Sequence, residues 1–147
     1  MEKVDFKKLK KPYIIAEIGG NHCSNIELAK LGIINAKKAG ANCVKFQMYR
    51  HNSIVHPNLK ILPHVKKIAK EKTQSERFKK LELSEKDIIQ LYNQAKKCKI
   101  HFAATPFSTD LVKFLSKYVS FFKIASGDLD FFPIIKKISK YKKNIVL

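Results

Sequence analysis

The chain has 147 residues, 45% of them apolar and 10% aromatic, enough to build the core of one ordinary domain and too much for wholesale disorder. Its formal charge of +18 comes from 30 basic residues of which only Arg50 and Arg77 are arginine. Lysine pairs such as Lys37-Lys38, Lys66-Lys67, Lys96-Lys97 and Lys136-Lys137 are spread over helical faces, which suits a solvated surface better than a nucleic-acid reader, where arginine forks and interleaved aromatics are favoured. No run of about 18 apolar residues predicts a membrane span, and the N-terminal Met1-Glu2-Lys3-Val4-Asp5-Phe6 has no apolar signal core. Cys23, Cys43 and Cys98 lie far apart, an odd number without metal-type spacing, and read as reduced thiols of a cytoplasmic protein.

In chain order, an apolar strand is expected over about 13–18, then a Gly19-Gly20-Asn21-His22-Cys23-Ser24 turn. Ile26, Ala29, Ile33, Ala36 and Ala39 recur at helical spacing, with Gly40 near the C-terminal cap. A second strand over 43–47 precedes one long irregular stretch, 48–83, with a short helix around 63–71; a connection of this length is more often functional than a spacer. Ser84 reads as an N-cap with Asp87 at the third helical position, opening a helix that runs to about Cys98. A strand (100–105), a helix (108–118), a strand (121–125), a helix (133–140) and the opening of a fifth strand at Asn144-Ile145-Val146-Leu147 follow.

Four of these strands carry polar groups at their C-terminal ends. They are Glu17; Lys45 with Gln47, which alternate with period 2 along Cys43-Val44-Lys45-Phe46-Gln47; Thr105; and Lys123, followed by Ser126 and Asp128. Lys123 lies in the β-rich run Phe121-Phe122-Lys123-Ile124-Ala125, and a buried unpaired ammonium costs several kcal/mol, so it either leaves the sheet for solvent as an edge lysine or meets an anion. Repetition of the device on successive strands argues for a site.

Strand–helix alternation implies parallel strands with right-handed crossovers. A doubly wound nucleotide-binding sheet would need a third glycine after Gly19-Gly20, where Asn21-His22-Cys23 stands instead. A (β/α)8 TIM barrel, an α/β fold, places polar strand ends in one mouth, and this is the architecture expected. Five strands make only about half of a barrel that typically needs ~250 residues, so residues 1–147 are expected to be the N-terminal half of such a domain. A fragment, a truncated reading frame and one half of an assembly all fit that expectation.

Ala16-Glu17-Ile18-Gly19-Gly20-Asn21-His22, Val44-Lys45-Phe46-Gln47, Lys80-Leu81-Glu82-Leu83-Ser84, Thr105-Pro106-Phe107 and Lys123-Ile124-Ala125-Ser126-Gly127-Asp128 occur in this order. Together they resemble the sialic acid synthase family, over essentially the whole chain from about residue 11. The Ser126-Gly127-Asp128 ending and Asp130-Phe131-Phe132-Pro133 are most similar to the branch that makes legionaminic acid. The resemblance implies condensation of phosphoenolpyruvate with an N-acylated hexosamine to a nine-carbon 2-keto sugar acid and phosphate. It implies Lys45 and Lys123 as cations for the phosphoenolpyruvate carboxylate and phosphate, with Gln47, Thr105 and Ser126 completing the hydrogen bonds. Glu17 matches the glutamate that contacts the amino-sugar acceptor, and Asp128 stands where many members have glutamate, as an acid/base or water-orienting carboxylate.

The resemblance further implies a divalent metal, usually manganese, whose two histidine ligands lie beyond Leu147, so no metal ligand is expected in this chain. It implies a small C-terminal antifreeze-like domain, absent here, that reaches a partner's site in a homodimer. The 147 residues alone are expected to be inactive; a non-catalytic remnant and a basic nucleic-acid-binding module are the alternatives. His22 is read as structural, holding the loop after the first strand, in which Cys23-Ser24 stands where relatives commonly have Asn-Gly. His51, His56 and His64 match no ligand spacing and are read as solvated loop residues. Cys43 faces inward with no base in view and is read as an inert buried thiol.

Overall fold

A computed structural model describes residues 4–67 and 69–147. Residues 1–3, where the segment without a signal core begins, and Ile68, inside the helix expected over 63–71, lie outside the described residues. After a 3-10 turn at Phe6–Lys8 come β1 (Ile15–Glu17), α1 (Ile26–Lys38), β2 (Cys43–Met48), the short helices α2 (His51–Ile54) and α3 (Pro63–Lys66), and α4 (Gln74–Leu81). Then follow α5 (Glu85–Lys97), β3 (His101–Pro106), α6 (Thr109–Leu115), β4 (Phe122–Lys123), a 3-10 turn at Ser126–Asp128, α7 (Phe132–Ser139) and β5 (Ile145–Val146).

The five strands pair in parallel in the order β1-β2-β3-β4-β5. Consecutive order with no reversal is that of a barrel wall; a doubly wound sheet would change direction at a switch point. Val44, Phe46, Met48, Phe102, Ala104 and Phe122 point outward into the main core, where they meet Ala29, Ile33, Ile88, Leu91 and Ile134 of the helices. The alternate residues Cys43, Ala103 and Phe121 point to the inner face. There Val4 and Phe6 cover the strand N-termini: Phe6 packs edge-on to Tyr13 and Phe121 with ring centroids 5.3 Å apart in each pair, and the Asn144 side-chain amide donates to the Val4 carbonyl.

Several boundaries differ from expectation. The strands expected over 13–18 and 121–125 shrink to three and two residues, because β1 is an edge strand and β4 bonds β3 only at Ala104 opposite Phe122. The stretch 48–83 is not one irregular loop. Thr73 and Glu76 form a reciprocal capping box that starts α4, an arrangement worth about 1 kcal/mol, while α3 ends at Lys66. Ser84 and Asp87 form the same box at α5, as the sequence predicts. Gly40 follows α1 at φ +86°, the left-handed C-terminal position that glycine occupies without strain.

Apolar side chains are exposed near both outer strands along the chain: Ile14 just before β1, Leu28 and Leu31 on α1, Phe132 on α7 and Leu147 just after β5. These are the two open edges of a half barrel.

Candidate active site at the strand ends

Glu17, Lys45, Gln47, Thr105, Lys123, Ser126 and Asp128, the residues singled out at the strand ends, all line one concavity of about 460 Å3 at the C-terminal edge of the sheet. Phe107, Ala125 and Gly127 complete its wall. The convergence follows from register. Glu17 stands opposite Lys45, Lys45 opposite Ala103, and Gln47 opposite Thr105, so inward positions of three strands fall in line.

Lys45 is tolerated there because its neighbours suit a long cationic side chain. Ala103 opposite it is small and fully buried, leaving room for the methylenes. The Lys45 ammonium pairs with the Glu17 carboxylate and lies 3.4 Å from Thr105 Oγ1. Lys45 is the shielded partner, with its side chain 12% exposed against 44% for Glu17. Lys123 is half-buried on β4, two strands away, and its Nζ donates to the Ile124 carbonyl at 2.6 Å. Two ammonium groups therefore face one concavity from strands β2 and β4.

Asp128 sits in the 3-10 turn after β4, and its Oδ2 is buried with no partner among the described residues. Burial, reinforced by the nearby Asp130 charge, raises its pKa above the ordinary carboxylate value. A carboxyl whose pKa is raised in this way can carry a proton in chemistry at that wall.

The turn after β1 is built to leave the mouth open. Gly19 has φ +50°, and a Cβ there would come within 3.2 Å of Glu17 Oε1 and 3.7 Å of Gln47 Nε2. His22 is 2% exposed and its Nδ1 accepts from the Ser24 N–H at 3.2 Å, the structural loop-holding expected of it. Burial lowers its pKa below 6.5, against an opposing pull from Asp87. Cys43 is fully buried, its Sγ 3.3 Å from the Val44 carbonyl, and burial lifts the thiol to about 12, so it is no nucleophile.

His51 departs from the expectation of a solvated loop residue. It begins α2 half-buried, and Glu82 Oε2 accepts both its backbone N–H (2.9 Å) and a ring contact at Nδ1 (2.8 Å). Arg50 reaches the other oxygen of Glu82 at 3.4 Å. Glu82 thus fastens the stretch after β2 to the segment leading into α5, a role sequence reasoning missed. His56 and His64 are exposed, as expected. Among the described residues no three His, Cys, Asp or Glu side chains converge as a metal site, and Glu17 is already paired with Lys45.

Residues 32–147 match the NeuB family. The chain belongs to the NeuB family. It is 39% identical over 141 residues to the N,N'-diacetyllegionaminic acid synthase of Campylobacter jejuni, covering 95% of this chain and 42% of that protein. It is 37% identical to the N-acetylneuraminate-9-phosphate synthase of Drosophila melanogaster, covering 92% of this chain and 37% of that one. Among solved structures, the N-acetylneuraminic acid synthetase of Leptospira borgpetersenii, crystallised with citrate, superposes with TM-score 0.77 at 25% identity, over 98% of this chain and 48% of that chain. This NeuB-family chain spans less than half the length of these relatives, and its five strands are half of a TIM barrel.

Proposed function

We propose that the strand-end concavity binds phosphoenolpyruvate and an N-acylated hexosamine, and that the complete catalytic unit condenses them to a nine-carbon 2-keto sugar acid and phosphate. The observation that carries this reading is the convergence of Lys45 and Lys123, from two different strands, on one concavity that also holds Gln47, Thr105 and Ser126. Phosphoenolpyruvate is compact and carries a carboxylate and a phosphate. Two point charges from strands two apart, with amide and hydroxyl groups lining the same concavity, match that spread of anionic oxygens. The similarity to sialic and legionaminic acid synthases supports the same reading.

In the reaction, C3 of phosphoenolpyruvate attacks the acceptor's aldehyde carbon and forms the new C–C bond. Water then adds at C2, and phosphate leaves with its bridging oxygen by C–O cleavage. Lys45 and Lys123 hold the anionic groups, Glu17 orients the acceptor, and Asp128 moves a proton at the reacting carbons or to the attacking water. A divalent ion, held by residues outside these 147, would polarise the aldehyde. We place the enzyme in the cytoplasm, where phosphoenolpyruvate is made, and expect the complete form to be a homodimer with no nucleic-acid or membrane partner.

The test is Lys123→Ala in a version of the protein carrying the whole barrel. Turnover should fall at least about a thousandfold with the melting temperature within a few degrees, since the lost charge contacts are made to substrate. Retained turnover would overturn the assignment. The 147-residue chain alone should bind phosphoenolpyruvate without consuming it.

A further inference from the structure

A second cavity, of about 380 Å3, shares Phe107 and Asp128 with the strand-end concavity and extends from them to Ser53, Ser108 and Thr109. Two of its lining residues carry a buried oxygen with no partner among the described residues, Ser108 Oγ and Asp128 Oδ2. Buried polar atoms in folded proteins are nearly always hydrogen-bonded, to protein or to ordered water. Two such orphans on the wall of one cavity call for a common partner.

Ser108 stands at the N-cap of α6 with extended backbone, where a serine hydroxyl ordinarily accepts from an N–H of the first helical turn. Here it makes no such bond. The backbone is fixed on both sides of the cavity. The Phe107 N–H donates to the Met48 carbonyl at 3.0 Å, and the Phe107 ring packs edge-on to buried Tyr49 with centroids 6.0 Å apart. The Asp128 N–H donates to the Ala125 carbonyl at 2.9 Å, and the Asp128 carbonyl accepts from the Phe131 N–H at 3.0 Å. A cavity of this volume has room for ordered water, and the hydroxyls of Ser53 and Thr109 add polar partners for it.

We infer that Ser108 is a positioning residue for Asp128, acting through a water held between them in this cavity. The inference rests on the reading of the strand-end concavity as the condensation site, where Asp128 meets the reacting groups. The Ser108 hydroxyl donates to the water, and the water donates to the Asp128 carboxylate. That bond favours the charged form, against burial and the Asp130 charge, which both favour the neutral one. The remaining charges near Asp128, those of Lys123, Lys45 and Glu17, line the strand-end concavity. α2 and the start of α6 line the second cavity with hydroxyls and apolar groups, and Asp110 in the first turn of α6 is exposed. A proton that Asp128 gives up is restored from solvent along this water, without crossing the substrates.

The test is the pKa of Asp128, read from its carboxyl carbon by NMR in the 147-residue chain. Ser108→Ala should raise it by about 0.5 or more, as loss of one hydrogen bond to a carboxylate dictates, and Ser108→Thr, which keeps the hydroxyl, should leave it in place. The melting temperature of Ser108→Ala should stay within about two degrees, because no cap is lost. An Asp128 pKa unmoved by Ser108→Ala, or moved as far by Ser108→Thr, overturns the inference. Should Ser108→Ala not fold, the unaltered chain decides: cross-relaxation from a long-lived water to the amides of Ser108 and Asp128 upholds the inference, and its absence overturns it. If phosphoenolpyruvate fails to shift Lys45 and Lys123 while Ser108→Ala still raises the Asp128 pKa, this inference stands and the condensation site alone is in error.

Discussion

Glu17 and Lys45 stand directly opposite each other on adjacent parallel strands and close an ion pair across the floor of the strand-end concavity. The pair sets the charge that an anionic ligand meets, because the Glu17 carboxylate on β1 offsets the Lys45 ammonium on β2. Lys45 is the more shielded of the two, so loss of its partner is felt mainly at the lysine.

Glu17→Gln should therefore tighten phosphoenolpyruvate binding several-fold, and Lys45→Gln should weaken it at least about tenfold, as the loss of one charge-assisted contact dictates. Calorimetric titration of the two variants checks this. If Glu17→Gln weakens binding as much as Lys45→Gln does, the pair acts by holding the fold and not by tuning charge.

His22 gives the fold a pH dependence of definite sign. Its folded pKa lies below the unfolded 6.5, so the unfolded chain binds the proton more readily, and this contribution is complete above about pH 6.5. Stability should fall as the pH drops below 6.5 toward the folded value, and His22→Gln should flatten that part of the profile. Thermal melts of both proteins between pH 7.5 and 5 read this out. Identical slopes would remove His22 from the account.

Cys23 and Ser24 both sit in the left-handed region, at φ 48° and 63°, where a non-glycine residue costs roughly 1–2 kcal/mol. Ser24→Gly relieves that strain and adds some unfolded-state entropy, so the net gain should be about 0.5–1 kcal/mol. A rise in melting temperature is expected, and a fall would mean that the Ser24 side chain contributes more than the backbone strain it imposes.

The three thiols should label in order of burial. Cys23 is exposed, Cys98 is half-buried, and Cys43 is fully buried with its thiol pushed up to about 12. A maleimide should modify Cys23 first and Cys98 more slowly, with Cys43 reacting only on unfolding. Fast labelling of Cys43 in the native protein would mean that the inner face opens.

What the sequence makes legible is what period and spacing control. The alternation of Cys43-Val44-Lys45-Phe46-Gln47 assigns each residue to its face, and in a parallel sheet the remaining strand-end groups then converge of necessity. Ser84 with Asp87 announces α5. The same signature at Thr73 and Glu76 announces α4 just as openly, but it lies in a stretch whose prolines and histidines suggest an unstructured loop. The role of Glu82 was not legible, because its partners Arg50 and His51 lie 32 and 31 residues upstream and no local period connects them. The cavity of about 510 Å3 lined by Gly20, Asn21, Arg77 and Lys80 was equally hidden, since it needs the β1 turn and α4 to be brought side by side.

The bond from Asn144 to the Val4 carbonyl spans 140 positions of the chain. With Phe6 wedged against Tyr13 and Phe121, it ties the beginning of the polypeptide to its last strand at the end of the sheet away from the ligands. Closing so long a loop is slow but adds little entropic penalty over a shorter one, because that penalty grows only with the logarithm of length. The N-terminal arm thus acts as a latch across the closed end of the half barrel, holding the strands that carry Lys45 and Lys123 from beneath.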